Sequence, residues 1–310
     1  MDTSFTLLNN EALIFLEGDD THSFLQGQST CDVRLLSQNL SLQGLFCTPK
    51  GRVLSDFLLL DFENSRVALR LKKEIEEVTK LNLKKYAAFS QVKFIEELTD
   101  WQVAGCWGKD AKHVIQRLIK KDINGKGVKI HTGDFHVIQI DEQGEHFECI
   151  FSSKTSSGLL KDFLEACHES DETGWEQEII KLGTSRLDLI SSEEHVPQVL
   201  NYDLNGFINF EKGCYTGQEI IARLKYRGTP KRRCFFATSE EREVMIVPGS
   251  NVYFADTDNI AGVIINVAST SQAITILISI SEKALNAELR ASNPTGPKLT
   301  LGRLPYEVVF

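Results

Sequence analysis

The sequence predicts an α+β protein that ends in a small barrel-like domain. Two observations carry this. Helical and strand-like apolar spacings are mixed through the first three-quarters of the chain. After Lys231 the texture changes to short β-like runs separated by tight turns. A third observation places the boundary, because Gly228–Arg233 is a short basic stretch rich in turn formers. The expected organisation is an interleaved α+β region over 1–230 and a β-barrel domain over 231–310.

A first strand is expected at Ala12–Leu16, ending at Glu17-Gly18. Asp19 or Asp20 then caps a short helix through Phe24-Leu25, closed by Gln26-Gly27-Gln28. Gly44–Leu60 reads as a hairpin turning at Thr48-Pro49-Lys50-Gly51-Arg52, with its second strand at Val53–Leu60. Val67–Leu71 is another strand, and Glu74–Leu83 a helix with Ile75, Val78 and Leu81 on one face. Strands follow at Trp101–Cys106, Phe135–Ile140 and Phe147–Phe151. Helices are expected at Asp110–Lys120 (Val114, Leu118, Ile119) and at Ser157–Cys167, the latter capped by Ser156 or Ser157 and buried through Leu160, Phe163, Leu164 and Cys167. Trp175–Leu182 is helical and leads to Arg186.

In the last domain, strands are expected at Cys234–Ala237, Met245–Val247, Val252–Phe254, Gly262–Asn266 and Ala273–Ile280. Turns at Pro248-Gly249-Ser250 and Asp256–Asn259 separate them. Ser281–Ala287 suggests a helix. Pro294-Thr295-Gly296-Pro297 precedes a final pair of strands, the last near Glu307–Phe310.

Composition narrows the function. The chain has 310 residues, 42% hydrophobic and 25% charged, with a formal net charge of -9. That balance argues against broad non-specific nucleic-acid binding. No apolar run is long enough to span a membrane, and Met1-Asp2-Thr3-Ser4 lacks a basic leader, so a cytosolic protein is expected. Seven widely spaced cysteines, with no Cys-x-x-Cys, fit reduced thiols. The His146/Cys149 and Cys167/His168 pairs lack the companion ligands of a zinc site. Gly125–Gly133 has glycines but no phosphate-loop pattern.

One segment concentrates chemistry: Lys212-Gly213-Cys214-Tyr215-Thr216-Gly217-Gln218-Glu219-Ile220-Ile221-Ala222, then Arg223. Polar groups this varied and this dense suit the wall of a ligand site better than a core. A helix opening at Thr216 or Gly217 puts Glu219 and Arg223 four apart on one face, as an ion pair requires. Gly213 and Gly217 leave room for unusual backbone or a close ligand. Lys212, Arg223 and a helix N-terminus would favour a Cys214 thiolate, although packing alone is the plainer role for a cysteine. His195 is the nearest histidine in sequence, so a Cys–His dyad has no support. From Asn205 to Cys234, Lys212, Arg223, Lys225, Arg227, Lys231, Arg232 and Arg233 face only Glu211 and Glu219. This contrast with the acidic whole suggests an anion-facing patch, against the alternative of a solvated linker.

The Lys212–Glu219 segment resembles the signature of the YgfZ family of folate-binding, tRNA-modifying proteins, whose mitochondrial relatives act in iron–sulfur cluster assembly. Phe24-Leu25-Gln26-Gly27-Gln28-Ser29-Thr30-Cys31-Asp32-Val33 resembles the family's N-terminal segment, Pro49-Lys50-Gly51-Arg52 its turn, and Pro197–Asn209 the lead-in to its cysteine signature. The likeness spans most of the chain and is weakest in the middle and in the last domain. It implies the fold of the glycine-cleavage aminomethyltransferase: three domains in a ring around a folate-sized hole, one ferredoxin-like and the C-terminal one a small β-barrel. It implies tetrahydrofolate or a derivative as ligand, with no stably bound metal, since one thiol cannot hold a cluster alone. It further implies a factor, non-enzymatic or weakly catalytic, partnered with iron–sulfur client enzymes or cluster-assembly proteins and supporting tRNA methylthiolation indirectly; the sequence leaves the oligomeric state open, with a monomer expected. Two other functions remain open, a folate-dependent aminomethyl transferase and a direct tRNA-binding module with transient contacts. The matched positions are Lys212, Cys214, Tyr215, Gly217, Gln218, Glu219 and Arg223, then Lys50 and Arg52. Glu219 or Gln218 would read the pterin edge, Tyr215 would pack on an aromatic part, and Lys or Arg would meet the anionic tail.

Overall fold

A computed structural model describes residues 2–62, 66–96, 100–154, 157–241, 245–270 and 273–310. The elements run β1 (Ser4–Leu7), β2 (Glu11–Glu17), α1 (Thr21–Gln28), β3 (Leu42–Cys47), β4 (Val53–Phe62), β5 (Arg66–Lys72), α2 (Glu76–Ala87), β6 (Lys93–Ile95) and β7 (Trp101–Trp107). Then come α3 (Ala111–Ile119), β8 (Lys129–Thr132), β9 (Phe135–Gln139), β10 (His146–Ser152), α4 (Ser157–Ala166), β11 (His168–Glu169), α5 (Glu172–Lys181) and α6 (Gln218–Arg227). The last strands are β12 (Arg233–Ser239), β13 (Asn251–Phe254), β14 (Ile260–Ser269), β15 (Ile274–Ile280), β16 (Leu289–Ala291) and β17 (Lys298–Leu301). Neither of the two compact units ends at residue 230. One comprises Met1–Gly44 and Phe57–Trp175, the other Leu45–Asp56 and Glu176–Phe310.

The first unit holds two sheets. One has six strands in the order β11-β1-β7-β10-β9-β8; the other, in the order β3-β4-β5-β2-β6, lends its β3–β4 tip to the second unit. The strand β4 is buried along almost its whole length, which is why Phe57–Leu60 is apolar at every position rather than at alternate ones. The two sheets are joined through Arg70 on β5. Its guanidinium lies 2.6 Å from Glu148 on β10 and 3.5 Å from Glu11 on β2, all three buried. Such a cluster specifies which faces meet, because a mispaired charge in this interior is costly. Phe15, Phe62, Trp101 and His136 pack as an aromatic group beside it. Burial there, with help from Lys129 and His131, pushes the His136 imidazole down to about 3, so the ring is neutral.

In the second unit β12-β15-β14-β13-β16-β17 close into a barrel. Its interior is filled by Ile246, Val252, Ile264, Ile276, Ile278, Leu289 and their neighbours. β-branched residues dominate this small barrel because they suit both the strand backbone and the narrow interior. The hairpin end is fastened within the same unit by Asp56. This carboxylate accepts from Arg186 Nε at 2.9 Å and from the Leu187 amide at 2.8 Å. The backbone of Arg186 is in turn bonded both ways to Asn266 on β14. Arg233, at the start of β12, is buried against Asp203 and also donates to the Gln198 carbonyl.

Several local expectations are corrected. The Asp20 side chain does not cap α1; it accepts from the Gln91 amide instead. Along α2 and the residue before it the buried row is Ile75, Thr79 and Leu83, at i, i+4 and i+8, while Leu81 is exposed. Thr79 is tolerated in that row because its hydroxyl bonds back to the Ile75 carbonyl at 2.7 Å. Leu164 on α4 is exposed. Of the two residues expected to cap α4, Ser156 and the side chain of Ser157 lie outside the described residues. Met245–Val247 is not a strand, and Ser281–Ala287 contains only a short 3-10 turn at Glu282–Ala284. Glu307–Phe310 is also irregular. Both edges of β12 are already occupied by β15 and β17, so the tail has no strand to join. It is tied by side chains instead: Arg233 Nε donates to the Val309 carbonyl, Tyr306 OH to the Gly183 carbonyl, and Phe310 stacks on Phe235.

The Asp56→Ala substitution leaves the Arg186 guanidinium buried without its carboxylate. The expected cost is about 3–5 kcal/mol in urea unfolding, with Asp56→Asn intermediate because the amide oxygen still accepts.

Candidate functional site

The hairpin turn and the polar Lys212–Arg223 segment meet in the second unit. The turn is closed by Thr48 N–H to the Arg52 carbonyl and Gly51 N–H to the Thr48 carbonyl, both 2.8 Å. Gly51 closes it in the left-handed region, φ +69°. Gly217, the residue before α6, is also left-handed, at φ +85°. A Cβ on Gly217 would lie 2.5 Å from the Thr48 carbonyl oxygen and 3.2 Å from Gly51 Cα. A Cβ on Gly51 would lie 2.8 Å from Ile220 Cβ. The two glycines therefore let two backbones touch where any side chain would separate them. Gly213 is different, since a Cβ there would meet nothing within 4 Å.

From this anchor α6 runs outward. The Gln198 amide, itself buried, donates to the Ile221 carbonyl at 2.9 Å and fixes the first turn. Ile221 is the buried residue of the helix; Glu219, Ile220, Arg223, Lys225, Tyr226 and Arg227 are exposed. Val53 continues the hairpin side, exchanging bonds with the Glu193 amide and the His195 carbonyl. Arg52 donates to the Glu194 carbonyl. Burial holds the His195 imidazole below its ordinary value, and Arg52 and Arg232 add to this against the opposing Glu194.

The expected site residues divide into two groups. Lys212 and Tyr215 are buried, and the Lys212 ammonium sits 5.1 Å from the centre of the Tyr215 ring. They form a cation–π support beneath the segment. Burial, with Cys47 beside it, raises the Tyr215 phenol far above its ordinary range. One face of the Tyr215 ring is thus occupied by the Lys212 ammonium. Cys214, Glu219, Arg223, Lys50 and Arg52 are exposed, and Gln218 is half-buried. Cys214 is thus accessible to solvent, and the packing-only role for its thiol is set aside. Among the described residues no ion pair joins Glu219 to Arg223, although their spacing allows one. In water such a pair adds only about 0.3–0.5 kcal/mol.

The basic patch is smaller than the sequence count. Lys212 and Arg233 are both buried, Arg233 against Asp203. Arg223, Lys225, Arg227 and Lys231 remain exposed, with Arg232 half-buried. Lys225 Nζ stands 5.1 Å from the Phe210 ring centre, and Phe210 meets the exposed Tyr226 edge-on at 6.3 Å. Sequence reasoning missed Phe210 and Cys47, whose roles depend on approach in space. It also missed Asp56, for which a signal existed: a carboxylate within the apolar run Val53–Leu60 needs a buried partner.

No family model matches the chain. Individual proteins do. A tRNA-modifying protein YgfZ from Photobacterium profundum is 34% identical over 236 residues, covering 75% of this chain and 69% of its own. One from Aliivibrio fischeri is 35% identical over 240 residues, 75% of this chain and 70% of its own. One from Pectobacterium atrosepticum is 26% identical over 304 residues, 97% and 91%. Among solved structures, the glycine cleavage system aminomethyltransferase T from Bartonella henselae superposes with a TM-score of 0.75 over 98% of this chain and 86% of that one, at 16% identity. The fold is therefore aminomethyltransferase-like, with the closed six-stranded C-terminal barrel described above. Among the described residues no helix is long and apolar enough to cross a membrane.

The interlock makes a direct prediction. Gly217→Ala places a Cβ against the Thr48 carbonyl at a positive φ, at a cost of about 1–3 kcal/mol. Hydrogen exchange of residues 212–223 should accelerate while the barrel strands keep their protection.

Proposed function

The chain belongs to the YgfZ family, and on that footing we propose that it is a folate-binding protein serving tRNA modification. The observation that carries this reading is the solvent-facing Cys214 on a segment locked to the hairpin turn by Gly51 and Gly217. A segment held this rigidly presents its exposed groups at fixed positions, as ligand binding requires. The donor set suits a folate. The Glu219 carboxylate and the Gln218 amide offer acceptors for the amino edge of a pterin, and Arg223 and Lys50 offer cations for the glutamate tail. Lys212 and Tyr215 act from beneath as supports.

In the finer form of the proposal, the folate-bound protein assists iron–sulfur enzymes or the proteins that assemble their clusters, and tRNA methylthiolation depends on it through them. Cys214 is the group such a partner would touch. Its exposure, beside the unobstructed Gly213, suits a thiol that meets another protein. The protein works as a monomeric accessory factor in this reading.

The test separates the two functions. In calorimetric titration with tetrahydrofolate, Cys214→Ala should bind as the parent does, whereas Glu219→Ala with Arg223→Ala should weaken binding about tenfold or more. In cells lacking the endogenous family member, Cys214→Ala should fail to restore tRNA methylthiolation. Absence of any folate heat would remove the ligand assignment, and full restoration by Cys214→Ala would remove the thiol's role.

The exposed face of α6 favours a second reading, direct contact with tRNA. Arg223, Lys225, Arg227 and Lys231 are available to phosphates and Tyr226 to a base. Under that reading gel shifts with tRNA weaken linearly in log salt, and Lys225→Glu with Arg227→Glu lowers the slope by roughly two. Unchanged, salt-insensitive retention would dismiss it.

A further inference from the structure

The outer face of α3 concentrates positive charge that the proposed function does not use. Residues 109–121 hold Lys109, Lys112, Arg117, Lys120 and Lys121 against Asp110, in a chain whose net charge is -9. Ala111, Ile115 and Ile119 fix the helix by packing into the core of the first unit. The other side presents His113, Arg117 and Lys120, at i, i+4 and i+7, all exposed, with Lys109 and Lys121 exposed at the two ends. The acids nearest in sequence are engaged by neutral donors: Asp110 Oδ2 accepts from the Asp2 amide at 3.0 Å, and Asp122 accepts from the Gln116 side chain. Among the described residues none of the five cations forms an ion pair. Lys112 donates to the Asn124 side-chain oxygen at 2.8 Å, and Lys121 to the His131 carbonyl at 2.9 Å. Neutral oxygens order these ammonium groups without cancelling their charge.

The backbone is strained at the same place. Lys120 ends α3 in the left-handed region, φ +54°, where helices commonly place Gly or Asn. A lysine there gives up backbone stability that glycine would keep. The helix dipole favours Arg117 and Lys121 near the C-terminus but opposes Lys109, which precedes the N-terminus. Local stability therefore accounts for neither Lys109 nor Lys120. We propose that this face of α3 is a docking surface for the phosphate backbone of RNA. Cations without carboxylate partners gain most from a polyanion, because they release its counterions and give up no ion pair. An RNA strand offers a continuous row of phosphates to a row of cations, which an acidic protein surface does not. The choice of RNA rests on the proposed tRNA role. The charge array itself is independent of that role and lies in the first unit, whereas Cys214 and α6 belong to the second.

Fluorescence anisotropy of a labelled tRNA transcript mixed with the full chain, over about 50–200 mM salt, tests this. The parent should bind, with log affinity falling linearly in log salt. The triple variant Arg117→Gln, Lys120→Gln, Lys121→Gln should lower that slope by roughly two to three, while its tetrahydrofolate heat stays as in the parent. Lys120→Gly alone should melt at or above the parent's temperature and yet weaken tRNA binding, an opposition that a purely structural role does not produce. A parent that fails to bind tRNA, or that binds phosphatidylserine vesicles in its place, overturns the proposal. So does a triple variant with the parent's slope, the loss falling instead on Lys225→Gln with Arg227→Gln. Should the triple variant fail to fold, Lys120→Gly decides the question. Absent folate heat with tRNA binding intact removes the folate reading and leaves this surface supported; intact folate heat without tRNA binding does the reverse.

Discussion

The contact of Gly217 with the Thr48 carbonyl is the constraint on which the candidate site depends. At 2.5 Å from a would-be Cβ, there is no space for any side chain, and the positive φ of Gly217 excludes most residues independently. This contact sets the start of α6. It thereby sets where Cys214 stands before the helix and where Glu219 and Arg223 stand along it. Lys212 and Tyr215 close the other side of the segment, and both are buried. The polar density that marks the segment in sequence thus resolves into two jobs. Part of it builds the support, and part of it faces solvent.

Buried charge is the second organising theme. In the first unit Arg70 is held between Glu11 and Glu148; in the second Asp56 holds Arg186, and Asp203 holds Arg233. Pairs like these contribute less to net stability than their distances suggest, because both partners give up water. Their value is in specifying position. Asp56 bonds a side chain and a backbone amide in the 186–187 segment, and Asn266 bonds the same segment from the barrel. The hairpin end, that segment and a barrel strand are therefore fixed to one another by directional bonds, which apolar contacts alone would not do. The same logic explains why the basic patch shrinks on folding. Arg233 reads as a surface charge in a run of cations, yet it serves as a buried strut.

The sequence was most legible where a residue's role is local. The apolar run of β4, the Thr48–Arg52 turn and the helices at 76–87 and 111–119 follow from short-range spacing and turn chemistry. The change to short strands after Lys231 was enough to expect a barrel. Errors fell where a local rule met a tertiary demand. Leu81 lost its buried place to Thr79 because the i, i+4, i+8 row faces the core. Glu307–Phe310 is apolar enough for a strand, but the barrel is already closed. Asp20 sits where a cap belongs and turns instead to Gln91.

By itself the sequence determined the mixed fold class, the C-terminal barrel and the segment carrying the unusual chemistry, since each is written in contiguous residues whose spacing or composition is visible directly. Which members of that segment are buried and which are accessible, that Lys212 sits over the Tyr215 ring, and that Asp56 meets Arg186 were settled by the three-dimensional fold. Those facts depend on approaches between residues far apart in the chain. Burial and proximity are set by such approaches, and local pattern does not encode them.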